Sequence, residues 1–480
     1  MLFPTITFAV FFLVVYVLNW ALMPRLRLWK WFIIAASYVF YGWWSPWMVL
    51  LLIAATFANQ ALGVQVHRSL GGRRRSRAAA RRWLVLAVVV NLVVLGVFKY
   101  ADFFAVNLNE VLGALRLGAP LPLLRIALPV GISFLVFRML TYVIDIYRGQ
   151  LAPAPALDFA VYTAFFPYLL AGPIARAREF LPQLTTPRDP HAVDSSRAFV
   201  LILGGLVKKM LIADYLSTHI VNGLFASPQT YSSWETLWGI VAYSVQIYCD
   251  FSAYADIAIG ISLLLGFELP ANFDAPYTAR TIQDFWRRWH ITLSSWLRDY
   301  LYIPLGGNRK GRGRTYFNLV LTFLLGGLWH GAGWTFVFWG LLHGTGLAVE
   351  RGRMDGRHSR GLPEPGRTPG ARALQRLWVF AFVSLAWVFF RAESMTNAFE
   401  VLWRLAAGLG SVGTLVTLPV VGLSVLGIAI QYVPRRAIEG LEAGFGRVGW
   451  VGQGLVLALA LFVIDVLGPV GPAEFLYFKF

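Results

Sequence analysis

Seven histidines are spread along the chain, and His330 stands where chemistry is hardest to avoid as an explanation. It occupies GGLWHGAGW (326–334), in the middle of an apolar stretch that runs from Thr315 to Val349. An ionisable side chain in such a run is costly and marks a pathway or a reacting group. The alternative is a hydrogen-bonded histidine that fastens two helices. Gly326, Gly327, Gly331 and Gly333 weaken a helix, a cost that makes sense if a substrate must approach the ring closely. A neutral imidazole there is a candidate general base near pH 7.

His290 lies in DFWRRWHITLSSWLRDYLYIPLGG (284–307), which is too charged to span a membrane but has helical periodicity. At 100° per residue, His290, Leu293, Leu297 and Tyr300 share one side, with Arg287, Arg288, Ser295, Arg298 and Asp299 on the other. The pattern predicts an amphipathic helix at the cytoplasmic interface with His290 pointing inward. On spacing alone, a structural histidine and a site residue are equally open. Arg287, Arg288, Arg298 and the arginines of NRKGRGR (308–314) suit the phosphates of a carrier such as coenzyme A or phosphopantetheine. Lipid headgroups are the competing partner.

Asp250 and Asp256 support a rival reading, an ion or polymer path through the membrane. They are six apart in CDFSAYAD (249–256), so they share no face unless the helix is broken. Local backbone satisfaction at such a break would explain them as well. Cys249 is the sole cysteine, which rules out a disulfide framework and a cysteine metal cluster. No basic residue adjoins it, so a structural buried thiol is expected. His67, His191, His219, His343 and His358 receive no role. No spacing of His, Asp and Glu suggests a metal, and no glycine-rich phosphate loop is present.

The elements that must hold these residues are membrane helices. Of 480 residues, 58% are hydrophobic and 14% charged, against about a quarter charged in soluble domains. Apolar runs such as 3–23, 83–98 and 448–468, from 16 to 21 residues long, are close to or above the roughly 18 residues that cross hydrocarbon as a helix. By that rule the chain has roughly ten to twelve spans, and the fold class is an all-α polytopic membrane protein. The first run has no Lys or Arg before it and ends at Arg25, Arg27 and Lys30, so it reads as a retained span with the N-terminus outside.

The net charge of +18 is concentrated in short loops, which points to topology and contact with membrane lipids rather than to nucleic acid. Three basic stretches, 67–82, 308–314 and 351–376, are expected in the cytoplasm. The third is rich in Gly, Pro and Arg and is expected to be a flexible linker. Segments such as ALPVGISFLVFRMLTYVIDIY, FFPYLLAGPIARAREF and GIVAYSVQIYCDFSAYADIAIGISLLLGF are interrupted by Pro, Gly or charge. They predict broken or re-entrant helices, tolerated only where protein or a watery cavity satisfies the freed backbone. No internal repeat is visible, so residues 1–480 read as one membrane-embedded domain with its core motifs in 98–350. Because 315–349 joins two cytoplasmic landmarks, it must be a hairpin bent near Gly331 and Gly333. His330 then lies about sixteen residues, roughly 24 Å, from the cytoplasmic end.

Several stretches together resemble the membrane-bound O-acyltransferases, and among them the bacterial branch that acetylates alginate and other exported polysaccharides. They are FKYADFF (98–104), LPVGISF (128–134), AGPIAR (171–176), DFSAYADIAIG (250–260), NFDAPY (272–277), FWRRWHITLSSWLRDYLYIPLGG (285–307), GGLWHGAGW (326–334) and the closing FLYFKF (475–480). The resemblance implies a many-span fold around a central tunnel, with the family's catalytic histidine at His330 and its more variable partner at His290. It further implies acyl transfer from a cytoplasmic thioester, acetyl coenzyme A or a phosphopantetheine-carried group, with no permanently bound cofactor or metal. The acceptor would be a hydroxyl of an exported polysaccharide, served by a separate periplasmic acetyltransferase at the bacterial inner membrane. The chain departs from the branch mainly in 351–372. Two other readings stay open: D-alanyl transfer from a carrier protein to teichoic acid, and a polymer or lipid transporter using Asp250 and Asp256.

Overall fold

The computed structural model describes residues 1–71, 76–118, 120–363, 366, 368–408, 413–468 and 475. All regular structure among them is helical. The chain divides into two compact units, one of residues Met1–Ala198 with Ala258–Pro270, the other of Phe199–Ile257 with Ala271–Phe480. In chain order the helices up to residue 206 are α1 Ile6–Leu22, α2 Leu26–Gly42, α3 Pro46–Gly71, α4 Arg77–Leu95, α5 Ala101–Ala114, α6 Ile132–Tyr147, α7 Ala156–Ala164, α8 Phe166–Leu169, α9 Ala177–Phe180 and α10 Ser195–Leu206. They are followed by α11 Asp214–Leu216, α12 Asn222–Ala226, α13 Ser233–Leu264, α14 Ile282–Arg288, α15 Ile291–Leu297, α16 Arg312–His330 and α17 Trp334–Ser359. The last are α18 Pro369–Arg391, α19 Met395–Ala407, α20 Leu418–Ala429, α21 Arg435–Arg447 and α22 Trp450–Leu467. Side-chain caps start many of them: Thr5, Ser76, Thr281, Thr368 and Ser394 each accept a first-turn N–H, as small hydroxyl residues do at a helix start.

Among the described residues, five stretches are long and apolar enough to cross a membrane unaided: Pro46–Gly71, Arg77–Ala114, Ser233–Leu264, Pro369–Arg391 and Trp450–Leu467. A sixth candidate, Leu418–Tyr432 with Arg435–Arg447, is bent by 92°. That is fewer than the roughly ten to twelve spans expected from the length rule; the 17-residue α1 is apolar but shorter than these. Of the interrupted runs, FFPYLLAGPIARAREF folds as two four-residue helices, α8 and α9, whereas α6 follows Pro129 and Gly131 as one buried 16-residue helix. In the first unit, Gly131 opens α6 at φ 78, and a Cβ on it would lie 2.6 Å from the Leu169 carbonyl oxygen. Arg138, fully buried on α6, donates to the Tyr168 carbonyl at 2.9 Å and lies 4.7 Å from that residue's ring centre. A buried guanidinium thus satisfies the carbonyls that the broken segment leaves open.

Two expectations change. The segment 239–267 is not broken at its carboxylates: α13 is a continuous 32-residue helix, and 94% of its apolar window is buried. Asp250 and Asp256 are held instead by a neighbouring helix. After α10 the backbone widens into a π-helical turn, Val207–Ala213, which presents two adjacent lysines. Lys209 bridges Asp250 and Asp214 at 2.8 Å each, and Lys208 pairs with Asp256 and donates to Ser252 Oγ at 2.9 Å. The stretch 351–376, expected as a linker, is largely helical as well. α17 runs on to Ser359 with an Arg351–Asp355 pair at 3.0 Å, and α18 begins at Pro369. Arginine, alanine and leucine favour helix more than the Gly and Pro among them oppose it. Of the closing FLYFKF only Phe475 is among the described residues, stacked 4.3 Å from Tyr254.

Lys209→Ala would leave two buried carboxylates without their shared cation, a loss of about 3–5 kcal/mol. The expected result is little monodisperse protein by size-exclusion chromatography, with partial recovery when Asp250→Asn is added. Undiminished yield from the single variant would show that the cluster is not structural.

Candidate active site

His330 is the last residue of α16, and the turn Gly331–Gly333 leads directly into α17, so the predicted hairpin is present with the histidine at its bend. The ring is buried and meets three aromatic edges: Trp329 at 4.9 Å, Trp339 at 5.1 Å and Phe390 at 5.1 Å between ring centres. Two of the flanking glycines, Gly327 and Gly331, are required by packing within the hairpin. A Cβ on Gly327 would lie 2.2 Å from the Phe336 carbonyl oxygen, and one on Gly340 2.3 Å from that of Phe323. They let the two arms of the hairpin touch backbone to backbone, and on Gly331 the space is filled by the Phe336 ring.

His290 does not lie within one amphipathic helix. It sits at a break between α14 and α15 with φ 43 and ψ 55, a left-handed conformation on a non-glycine residue. Such a backbone costs of order 1–3 kcal/mol and persists where its surroundings over-determine it, most often at functional sites. The surroundings are explicit. Residues 272–274 run beside the break, where the Asn272 carbonyl accepts Ile291 N–H at 2.9 Å and Asp274 N–H donates to the Arg288 carbonyl at 3.0 Å. Asn272 Oδ1 accepts both the Thr292 N–H at 3.2 Å and its hydroxyl at 2.9 Å. Trp289, buried between Phe285, Phe273 and Trp387, anchors the other side. The two faces read from the sequence survive the break: His290, Leu293, Leu297 and Tyr300 are buried, while Arg287 and Arg298 are exposed.

The break turns the His290 ring against Phe251 at 4.6 Å and Trp329 at 6.0 Å. Both histidine rings therefore lie near the same indole, that of Trp329, the chain neighbour of His330. The three arginines part company. Arg288 is tied to Asp284 at 2.8 Å and to the Asp274 carbonyl at 3.3 Å, and Arg287 points outward. Arg298 pairs with Asp299 at 2.7 Å and lines a cavity of about 290 Å³ with Tyr302, Asn308, Glu350 and Arg351. Among the described residues no cluster of His, Cys, Asp and Glu is placed to hold a metal.

Two residues that the sequence reading passed over belong to this site. Asn272 shapes the His290 break. His343, fully buried on α17, accepts the Trp286 indole N–H on Nδ1 at 3.2 Å, which leaves the proton of a neutral ring on Nε2. That N–H is buried with no hydrogen-bond partner among the described residues, a state that calls for a water or a ligand acceptor. The signal was available in W-x-x-x-H-x-x-x-L-x-x-x-R: Trp339, His343, Leu347 and Arg351 fall one turn apart on a single stripe. Trp339 touches His330, while Leu347 and Arg351 line the cavity.

Asn272→Leu removes the side-chain acceptor for two donors, and Asn272→Asp keeps it. The leucine variant is expected to lose at least tenfold in turnover at matched expression, about 1–3 kcal/mol for the bonds lost, while the aspartate variant retains most of it. Equal activity from both would show that the break holds without the side chain.

Comparison with known proteins identifies the family. Residues 33–390 match the model of the membrane-bound O-acyltransferase family. The chain is 45% identical over 388 residues to a probable alginate O-acetylase of Azotobacter vinelandii, covering 79% of this chain and 72% of that protein. It is 37% identical over 400 residues to a peptidoglycan O-acetyltransferase of Helicobacter pylori, covering 78% and 73%. It is 30% identical over 231 residues to a teichoic acid D-alanyltransferase of Streptococcus thermophilus, covering 46% and 56%. The matched span takes in Asn272, His290, the hairpin with His330, and His343. A polytopic helical chain carrying all of these across most of its length is a membrane-embedded acyl-transfer enzyme, and it belongs to the membrane-bound O-acyltransferase family.

Proposed function

We propose that the protein moves acetyl groups from a cytoplasmic thioester toward hydroxyls of an exported, alginate-like polysaccharide at the bacterial inner membrane. In this reading the N-terminus faces outward and His330 is the general base. The observation that carries it is the convergence of His330, at the hairpin bend, and His290, at a strained helix break, on one indole. His330 takes the proton of the acceptor hydroxyl as its oxygen attacks the thioester carbonyl. A tetrahedral intermediate forms, His290 stabilises its oxyanion or orients the donor by hydrogen bonding, and collapse expels the thiolate, which recovers the proton from the imidazolium. The ester is the product, and no metal or bound cofactor enters these steps.

The donor side is supported by the cavity at Arg298 and Arg351, whose guanidiniums suit the phosphates of coenzyme A or of a phosphopantetheine carrier. From Arg351 to Trp339 the α17 stripe covers about 18 Å at 1.5 Å per residue, a span for an extended arm rather than for direct contact. His343 lies one turn from Trp339 and two from Arg351, and its Nε2–H would donate to a carbonyl of that arm. A periplasmic acetyltransferase is the partner that would complete delivery to the polymer. The teichoic acid relative favours one alternative, transfer of D-alanine from a carrier protein. Transport through Asp250 and Asp256 is disfavoured by their lysine partners.

His330→Ala is expected to lower acyl esters on the exported polymer by at least a hundredfold at matched expression, in the range of a lost general base. Base hydrolysis of the purified polymer followed by chromatography of the released acid identifies acetate or D-alanine. Esters at the parent level would remove His330 from the mechanism, and loss of polymer export itself would favour transport.

A further inference from the structure

Away from the acyl-transfer site, the first unit carries an open groove of about 880 Å³ along α4, closed on one side by Tyr147 at the end of α6. Its lining is ordered by chemistry. Arg77, Arg81 and Arg82 form one end, and Val85, Leu86 and Val89 continue it. On α4 the residues 77, 81, 85 and 89 fall on one stripe, and 82 and 86 on the next, so each basic position leads directly into an apolar one. None of the three arginines has an ion pair or hydrogen bond among the described residues, and no carboxylate lines the groove. The span Arg77–Ala114 that contains α4 has only 17% of its apolar window buried, so this face lies against lipid.

We propose that this groove is a binding site for one anionic phospholipid, with the phosphodiester held by Arg77, Arg81 and Arg82 and an acyl chain laid along Val85, Leu86 and Val89. Three guanidiniums in two successive turns match a phosphate by charge and by paired N–H donors. The valine and leucine side chains, exposed on the protein surface, give the chain an apolar wall. Tyr147, at the end of α6, adds an amphipathic ring to the lining, a side chain favoured at membrane interfaces. A general attraction of basic loops to anionic bilayers would not need an apolar continuation in register with the arginines, and this groove has one.

The test uses the full-length purified protein in detergent, with native mass spectrometry to count bound lipid and thermal unfolding to follow stabilisation. Phosphatidylglycerol is expected to bind at one copy and to raise the unfolding temperature, phosphatidylcholine to bind at least tenfold more weakly, and soluble glycerol phosphate not to compete. The triple variant Arg77→Ala, Arg81→Ala, Arg82→Ala is expected to weaken phosphatidylglycerol binding at least tenfold. Val89→Trp, which fills the groove and keeps the charges, is expected to do the same and stands alone if the triple variant does not fold. A control variant, Arg436→Ala with Arg447→Ala on α21, should bind as the parent does. Equal loss from the control would show diffuse attraction, and undiminished binding by Val89→Trp, or competition by glycerol phosphate, would overturn the site.

Discussion

A polar group that finds no partner in hydrocarbon costs several kcal/mol, and each departure of this protein from a simple bundle answers that constraint. Where a helix breaks, a specific side chain takes up what the break exposes. Arg138 donates to the carbonyl of Tyr168 and Asn272 accepts the first N–H groups after His290; from the π-helical turn Val207–Ala213, Lys209 neutralises two carboxylates at once, one of them on the unbroken α13. The apolar content of the chain permits it to enter the membrane. These few polar side chains decide which irregular backbone can exist once it is there.

The active site is a product of that same economy of partners. A left-handed histidine is unfavourable anywhere, and doubly so where no water can relieve it. It persists because residues 272–274 run alongside and because Trp289 is packed among three aromatic rings. The strain redirects the chain, and the redirected chain presents His290 to the indole that also meets His330. Positioning here comes from backbone that is held, with the aromatic rings acting as spacers between reactive groups.

The sequence was legible where a residue is anomalous in its setting. A histidine amid thirty apolar residues, glycines flanking it, and two basic landmarks fixing an even number of crossings together gave the hairpin and its bend. The two faces of residues 284–300 were legible too, since amphipathic periodicity survives a kink that reverses no face. The kink was not legible, because nothing in WRRWHITL forbids a helix; Asn272, eighteen residues away, decides it. Asp250 and Asp256 were misread for the same reason. Their cations lie some forty residues upstream, and a π-helical turn is needed to aim both lysines. His343 was overlooked because it was judged by its place along the hairpin instead of by its stripe on α17.

The contact between the arms of that hairpin also fixes their register. With Gly327 beneath the carbonyl of Phe336 and Gly340 beneath that of Phe323, a slip of one residue would drive Leu328 or Leu341 into a space that holds no side chain. The turn Gly331–Gly333 can therefore neither lengthen nor shorten without forcing the arms apart. Trp339, His343, Leu347 and Arg351 are keyed to His330 like teeth on a single bar, so the separation between the cavity and the His330 ring is a built-in dimension of the molecule.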